Sequence, residues 1–430
     1  MGPLNESLFC VDVHQNEYLP EGSREVSAVL TVTSAVDLGQ ADDTDAAEII
    51  IIDCSGSMAH RNKITAAREA TAAAVDAIGD GVAFAVIAGT HTARVVFPAD
   101  GGLAVAGPES RNLAKRAVAG LRGRGGTRIG EWLRLAHQLF TSHAAGLRHA
   151  ILLTDGQNGE TPRRLDEAIS LCAGVFSCDC RGVGTKWKVS ELRKIAAALQ
   201  GTVDIVADPA GLATDFAAMM SSSMSKQVAD VAMRVWTPAH ADIWFVTQVS
   251  PAIEDLTSRR TPASPQAGDY PVGAWGAGES RDYHLRVQVR PGIVGQEMLA
   301  ARVSMVTGSP SGPQLHGQGL VRAIWTDDGT LSAAISPYVA HYTGQAELAQ
   351  AIQDGLRARR EGDEQTATAR LGRAVMLATR SGNQDTIRLL AKVVDVTDAT
   401  TGTVRLRRKV ADADEMALDT RSVRTVRTRK

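Results

Sequence analysis

Long apolar runs, a regular set of cysteines and a strong excess of one charge are all missing from this 430-residue sequence. No apolar run approaches the roughly 18 residues that a membrane-spanning helix needs. The first residues, MGPLNESLF, have neither the basic and apolar regions of a secretory signal nor the pattern of a myristoylation site. We therefore expect a protein that does not interact with a membrane.

Cysteine is too scarce and too irregularly placed to build a disulfide framework. The five cysteines are an odd number, which favours reduced thiols and a cytoplasmic location. Cys178 and Cys180 lie two residues apart on a predicted strand and so share one face. We interpret them as buried small apolar residues, with a metal or redox pair as the alternative.

Charge is nearly balanced, because 46 basic and 48 acidic residues leave a formal net charge of −2. This balance excludes a globally basic coat for nucleic acid, and no nucleic-acid partner is expected. At 430 residues, the chain has the length of about three domains and can bury several cores without disulfides.

The hydrophobic pattern changes its period several times along the chain and so indicates where domains begin and end. We predict N-terminal strands of a β-sandwich over 1–45, an α/β domain over 46–225, the rest of the sandwich over 226–335, a helical hairpin or bundle over 336–395 and a basic flexible tail over 396–430. Asp42, Asp43 and Asp45 fall in a polar turn, for which a solvated loop is favoured over a cation site.

Strands and helices alternate throughout the predicted α/β domain, which is typical of a doubly wound, mostly parallel sheet. The first strand contains the continuous apolar run Ile49–Ile52, as expected for a strand buried on both faces. The N-terminal strands need partners, so the α/β domain is predicted to be inserted in an antiparallel β-sandwich. A small C-terminal helical domain follows.

Oxygen-bearing side chains cluster where the strands of this domain end. Asp53, Ser55 and Ser57 alternate in a predicted extended turn after the first strand, in IIIIDCSGSM. Thr127 lies in the loop GRGGTRIG ahead of a helix, and Asp155 ends the strand in LLTDGQNGE. Ligands bind at the carboxyl ends of strands in such sheets. Two carboxylates and three hydroxyls are hard ligands, which favour Mg²⁺, with Mn²⁺ or Ca²⁺ as alternatives.

This set of residues resembles the metal-ion-dependent adhesion site of von Willebrand factor type A domains. The family pattern, Asp-x-Ser-x-Ser followed by a Thr and then an Asp, is matched at all five positions, and the resemblance covers about residues 46–225. It implies that Ser55, Ser57 and Thr127 contact the metal directly, whereas Asp53 and Asp155 act mainly through water. It also implies an open metal position that a Glu or Asp side chain of a partner protein can fill.

The order of the predicted domains is similar to that of bacterial cytoplasmic type A proteins, which are often encoded near kinases, phosphatases or AAA+ ATPases. We therefore expect a non-enzymatic, Mg²⁺-dependent protein-binding module in a signalling or assembly complex. A dehalogenase-like phosphotransferase needs a second carboxylate where Ser55 stands, and no glycine-rich phosphate-binding loop is complete. A metal-independent structural adaptor remains the main alternative.

The C-terminal segment ADADEMALDTRSVRTVRTRK carries three threonines in polar surroundings, Thr420, Thr425 and Thr428. The favoured interpretation is a solvated tail. The alternative is a phosphorylated docking peptide for a forkhead-associated domain, with Thr420 as the first choice because Val423 lies three positions on.

Overall fold

A computed structural model describes residues 7–36, 46–60, 62–308 and 312–427, and the aspartates of the predicted polar turn at 42–45 lie outside them. The chain divides into two compact units. One runs from Gly39 to Ala229, and the other combines the residues up to Leu38 with those from Asp230 onward. In the ranges that the structure describes, no helix is long and apolar enough to cross a membrane.

The first unit, called the α/β unit here, follows three strands that belong to the other unit. These three are β1 (Phe9–Gln15), β2 (Tyr18–Pro20) and β3 (Glu25–Ser34). The strands of the α/β unit are β4 (Ala46–Asp53), β5 (Ala83–Gly89), β6 (Ala93–Phe97), β7 (Ala104–Val105), β8 (Leu147–Thr154), β9 (Ser177–Val183) and β10 (Val203–Val206). Its helices are α1 (Lys63–Ala77), α2 (Pro108–Ala119), α3 (Ile129–Thr141), α4 (Pro162–Cys172), α5 (Val189–Ala198) and α6 (Leu212–Met224).

The seven strands form one sheet in the order β10-β9-β8-β4-β5-β6, with β7 beside β5. Strands β4, β5, β8, β9 and β10 are parallel, whereas β6 and β7 run antiparallel to β5. The predicted doubly wound, mostly parallel sheet is therefore confirmed. Strand β4 pairs with β5 on one side and with β8 on the other, so the strand order reverses at β4. In open α/β sheets, ligands bind at the carboxyl ends of the strands beside such a reversal.

Strand β4 is central and its apolar run is completely buried. Ile50 and Ile52 belong to one hydrophobic cluster with alanines of α1 and with Phe216 of α6. The small alanine side chains let α1 pack closely on the sheet. This packing fixes the end of β4, and with it the position of Asp53.

The second unit contains two further sheets, built from strands on both sides of the α/β unit in the sequence. Its later strands are β11 (Lys226–Trp236), β12 (Asp242–Ser250), β13 (Glu254–Asp255), β14 (Thr261–Ser264), β15 (Ala267–Gly276), β16 (Ser280–Gln288), β17 (Glu297–Thr307) and β18 (Gln314–Thr326). The sheet orders are β1-β3-β16-β12-β13 and β14-β15-β11-β17-β18-β2. The strands of the first sheet pair antiparallel throughout. In the second sheet, β14–β15, β11–β17 and β17–β18 are antiparallel, whereas β18 and β2 are parallel.

The two sheets face each other across an apolar core. The rings of Phe9 on β1 and Trp275 on β15 meet edge to face, with centroids 5.3 Å apart. Because β3 pairs with β16 and β2 pairs with β18, N-terminal strands join strands that follow the α/β unit. The predicted insertion of the α/β domain into an antiparallel β-sandwich is therefore confirmed.

The remaining elements form a small helical region that closes with a hairpin and one more helix. They are α7 (Gly329–Ala333), α8 (Pro337–Glu361), α9 (Glu364–Arg380), α10 (Gln384–Val393), β19 (Val394–Asp398), β20 (Thr403–Leu406) and α11 (Asp412–Arg421). Leu418 of α11 is buried in the same hydrophobic cluster as Leu371 of α9 and Leu390 of α10. The helical domain that was predicted after the sandwich is therefore present.

The C-terminal segment differs from the flexible tail that its polar composition suggested. Thr420 is 1% exposed, and the backbone N–H of Ile253 donates to the carbonyl of Val423 at 2.8 Å. The Thr425 hydroxyl donates to the carbonyl of Val249 at 2.6 Å. Because these contacts join distant parts of the chain, composition does not reveal them. Thr428 lies outside the described residues.

Candidate metal site at the carboxyl edge of the sheet

Two buried aspartates lie at the ends of the neighbouring strands β4 and β8. Asp53 is the last residue of β4, and Asp155 follows the last residue of β8. Both side chains are fully buried. The parallel pairing of the two strands brings the two carboxylates to the same edge, as the sequence predicted.

Asp53 is held rigidly by hydrogen bonds to both of its carboxylate oxygens. Oδ1 accepts from the backbone N–H of Ser55 at 2.7 Å, and Oδ2 accepts from the Thr154 hydroxyl at 2.6 Å. Burial raises the pKa of the Asp53 carboxyl, and the hydrogen bonds from Ser55 and Thr154 oppose that shift. A cation placed nearby would favour the ionised carboxylate.

The three predicted hydroxyls converge on the same place. Ser55 Oγ lies 3.0 Å from Ser57 Oγ, which donates to Asp155 Oδ1 at 2.5 Å. A Cβ atom built on Gly156 would lie 3.3 Å from Thr127 Oγ1 and 3.6 Å from Ser57 Oγ. Ser57 lies in a short 3-10 turn over Gly56–Ala59, where an extended turn was expected. All five predicted side chains are therefore brought together.

Backbone hydrogen bonds fix the loop that carries Thr127. The N–H of Gly56 donates to the carbonyl of Gly125 at 2.9 Å, and the N–H of Arg124 donates to the carbonyl of Cys54 at 2.7 Å. On the other side, the N–H of Gly159 donates to the carbonyl of Thr127 at 2.8 Å. Thr127 is thus positioned by the backbone on both sides.

Gly123 is required for this close approach of the loops. A Cβ atom at that position would lie only 2.6 Å from the backbone nitrogen of Ala59. A larger residue would push the Thr127 loop away from the turn that holds Ser57.

One charged residue at the site was not assigned from the sequence. Lys63, the first residue of α1, places its Nζ 2.5 Å from Asp155 Oδ2. Its side chain is 12% exposed and that of Asp155 is 0% exposed, so the ion pair is largely buried. The only sequence signal was a basic residue ten positions after Asp53, at the start of a predicted helix.

The loops around the five predicted ligand residues carry an excess of positive charge. Five basic side chains in them are exposed: Arg122, Arg124, Arg128, Lys186 and Lys188. Over 54–60, 62, 90–92, 120–128, 155–161 and 184–188, the described part of these loops, no acidic side chain is exposed. A negatively charged group is therefore favoured next to these loops.

Comparison with known proteins identifies the family of the chain. A family model described as the von Willebrand factor type A domain matches residues 47–205, and one described as the von Willebrand factor type A C-terminal domain matches residues 376–422. The solved structure of a von Willebrand factor type A protein from Catenulispora acidiphila shares 50% sequence identity, with a TM-score of 0.93. That alignment covers 100% of this chain and 99% of the other. The chain belongs to the von Willebrand factor type A family.

Two solved structures of low sequence identity share the fold. The ArnB paralog VWA2 from Sulfolobus acidocaldarius is 14% identical, with a TM-score of 0.62 over 97% of this chain and 98% of its own. The human COPII-coat protein Sec24c is 9% identical, with a TM-score of 0.56 over 93% of this chain and 60% of its own. None of the curated proteins matches the chain.

The cysteines of the type A unit, as the α/β unit is called from here on, are all buried. Cys178 and Cys180 are completely buried and are not joined by a disulfide. Contact with Cys180 and burial raise the pKa of the Cys178 thiol. Within the described ranges, no group of three or more His, Cys, Asp or Glu side chains is arranged to hold a metal ion.

Proposed function

We propose that this protein binds Mg²⁺ through Asp53, Ser55, Ser57, Thr127 and Asp155 and uses the ion to capture an acidic side chain of a partner protein. The convergence of three hydroxyls and two buried carboxylates at one edge of the sheet carries this proposal. Such oxygen ligands fit Mg²⁺, and they also fit Mn²⁺ or Ca²⁺. Neutral hydroxyls compensate little of the ion's charge, so the ion would supply an electrophilic position for a carboxylate.

The charge around the site supports an acidic partner. The exposed arginines and lysines of the surrounding loops would attract a carboxylate before it reaches the metal. They would also disfavour a basic partner, because like charges would be brought together. We therefore expect the contact segment of the partner to contain Asp or Glu.

We further propose that the protein is non-enzymatic and acts in the cytoplasm, in a bacterial signalling or assembly complex. All five cysteines are free thiols, which suits a reducing compartment. A kinase, a forkhead-associated domain protein or an AAA+ ATPase is the class of partner that the family resemblance suggests.

The proposal is tested by capturing partners from a lysate of the native host in Mg²⁺ and in EDTA, with identification by mass spectrometry. The Thr127→Val variant removes one hydroxyl ligand and keeps the shape of the side chain. We expect capture of a specific partner to fall roughly tenfold or more in EDTA and with Thr127→Val. Substitution of one partner Asp or Glu should reduce capture to the same extent.

The matched control is Thr185→Val, which changes an exposed threonine in the loop after β9. Its capture should equal that of the wild type in Mg²⁺. Capture that EDTA and Thr127→Val both leave unchanged would contradict the proposal and favour the metal-independent adaptor.

A further inference from the structure

We infer that the positive charge of Lys63, held beside the candidate metal site, weakens the binding of a divalent ion to that site. A partner carboxylate that binds the ion offsets this effect. This inference rests on the proposed function and adds a residue that tunes it. Lys63 is not a metal ligand. It acts through Asp155, whose Oδ2 atom accepts a hydrogen bond from its ammonium group.

The position of Lys63 in its helix is unfavourable without Asp155. Lys63 is the first residue of the 15-residue helix α1, where the exposed N–H groups carry partial positive charge. A cation at this end of a helix is repelled unless an anion compensates for it. The buried carboxylate of Asp155 supplies that compensation at 2.5 Å.

The neighbouring loop keeps the ammonium group close to the site. A Cβ atom built on Gly184 would lie 3.5 Å from Lys63 Nζ and 3.6 Å from its Cε atom. The backbone after β9 therefore packs against the end of the lysine side chain. With only 12% of that side chain exposed, solvent screens its charge weakly.

The charges of the site explain the consequence for a metal. Asp53 and Asp155 supply two negative charges, and Lys63 returns one positive charge to the same cluster. The two carboxylates and the ammonium group together carry a net charge of about −1, because the serine and threonine ligands are neutral. They would therefore offset only about one of the two positive charges of a divalent ion. A partner carboxylate would restore the balance, so metal and partner would each increase the affinity for the other.

The test is a titration of the full chain with Mn²⁺, in which electron paramagnetic resonance measures the concentration of the free ion. Lys63→Met and Lys63→Gln both remove the charge. An effect that both variants share is due to the lost charge, whereas a packing defect would be specific to one of them. We expect both variants to bind Mn²⁺ about tenfold or more tightly than the wild type, because a nearby like charge is lost. Thermal unfolding checks that each variant is folded.

The matched control is Lys186→Met, which removes an exposed lysine from the loop after β9. Its Mn²⁺ affinity should stay within about twofold of the wild type, because exposed charges are screened. Equal or weaker Mn²⁺ binding by both Lys63 variants, with a wild type that does bind, would overturn the role of Lys63 alone. Absence of Mn²⁺ binding in every protein would overturn the proposed metal site, and this inference with it.

Discussion

At the scale of single residues, buried charges in the type A unit lie near both ends of strand β4. Asp53 is at the carboxyl end, within the candidate metal site. Glu48 is near the amino end, where its Oε2 atom lies 2.8 Å from Nδ1 of His149. Nε2 of the same ring lies 3.0 Å from Asp179 Oδ2. Since carboxylates face both ring nitrogens, the imidazole donates from both and carries a positive charge.

The charge of His149 makes stability depend on pH. Burial disfavours the charged ring, but Glu48 and Asp179 outweigh it and raise the pKa of His149 to about 10, from 6.5 in the unfolded chain. The resulting stabilisation is complete below pH 6.5 and is lost as the pH rises toward 10. The upper limit of this loss is about 1.4 kcal/mol per pH unit.

We predict that His149→Gln lowers the free energy of unfolding, and that the difference from the wild type shrinks between pH 6 and pH 9.5. Urea unfolding at both pH values measures this difference. His137→Gln, at a half-buried position on α3, should differ from the wild type by less than about 0.5 kcal/mol. A His149→Gln difference that stays constant over this range would contradict the charged state of His149.

The sequence was sufficient to predict which five side chains of the site come together. Their spacing relative to strand ends was informative, because parallel strands present their carboxyl ends at one edge. It could not reveal Lys63 or Thr154, whose contacts with Asp155 and Asp53 depend on side-chain directions in three dimensions. A basic residue in the first turn of a helix is ordinarily read as a surface residue.

At the scale of elements, α11 is the clearest departure from the predicted structure. Strand β4 could be predicted because its apolar run is continuous, which is typical of a strand that is buried on both faces of a sheet. Helix α11 has only 10 residues, begins with several acidic ones and buries few apolar side chains. Its stability depends on packing with α8 and α10, and on the hydrogen bond that joins Ile253 to Val423. Such non-local contacts leave little trace in composition.

Thr420 near the end of α11 gives a direct test of this packing. Its hydroxyl has no hydrogen-bond partner in the described part of the chain. We predict that Thr420→Val is neutral or stabilising, because it removes an unpaired buried polar group. Thr420→Glu should destabilise the protein by about 3 kcal/mol or more, since it buries a charge.

Thermal and urea unfolding of the two Thr420 variants measure these effects. Thr366→Glu is the control, because Thr366 is exposed in the first turn of α9, where an acidic residue is favourable. A Thr420→Glu protein as stable as the wild type would contradict this packing. It would support the flexible tail that the composition suggested, with a Thr420 side chain that a kinase can reach.

At the scale of the whole molecule, the chain combines a continuous unit with a discontinuous one. The type A unit runs without interruption, so its alternating strands and helices could be predicted in order. The second unit is assembled from segments on both sides of it. Its existence followed from N-terminal strands that needed partners, but its strand order could not be predicted, because antiparallel pairing between distant segments has no local signal.

The central claim is that the oxygen cluster of the type A unit binds a divalent metal ion. Isothermal titration of the full chain with Mg²⁺ tests this claim most directly, with Thr127→Val and Thr185→Val measured in parallel. We predict saturable binding of one ion per chain to the wild type and to Thr185→Val, and a loss of affinity of about tenfold or more for Thr127→Val. Binding of Mg²⁺ that is equal in all three proteins, or absent from the wild type, would contradict the account.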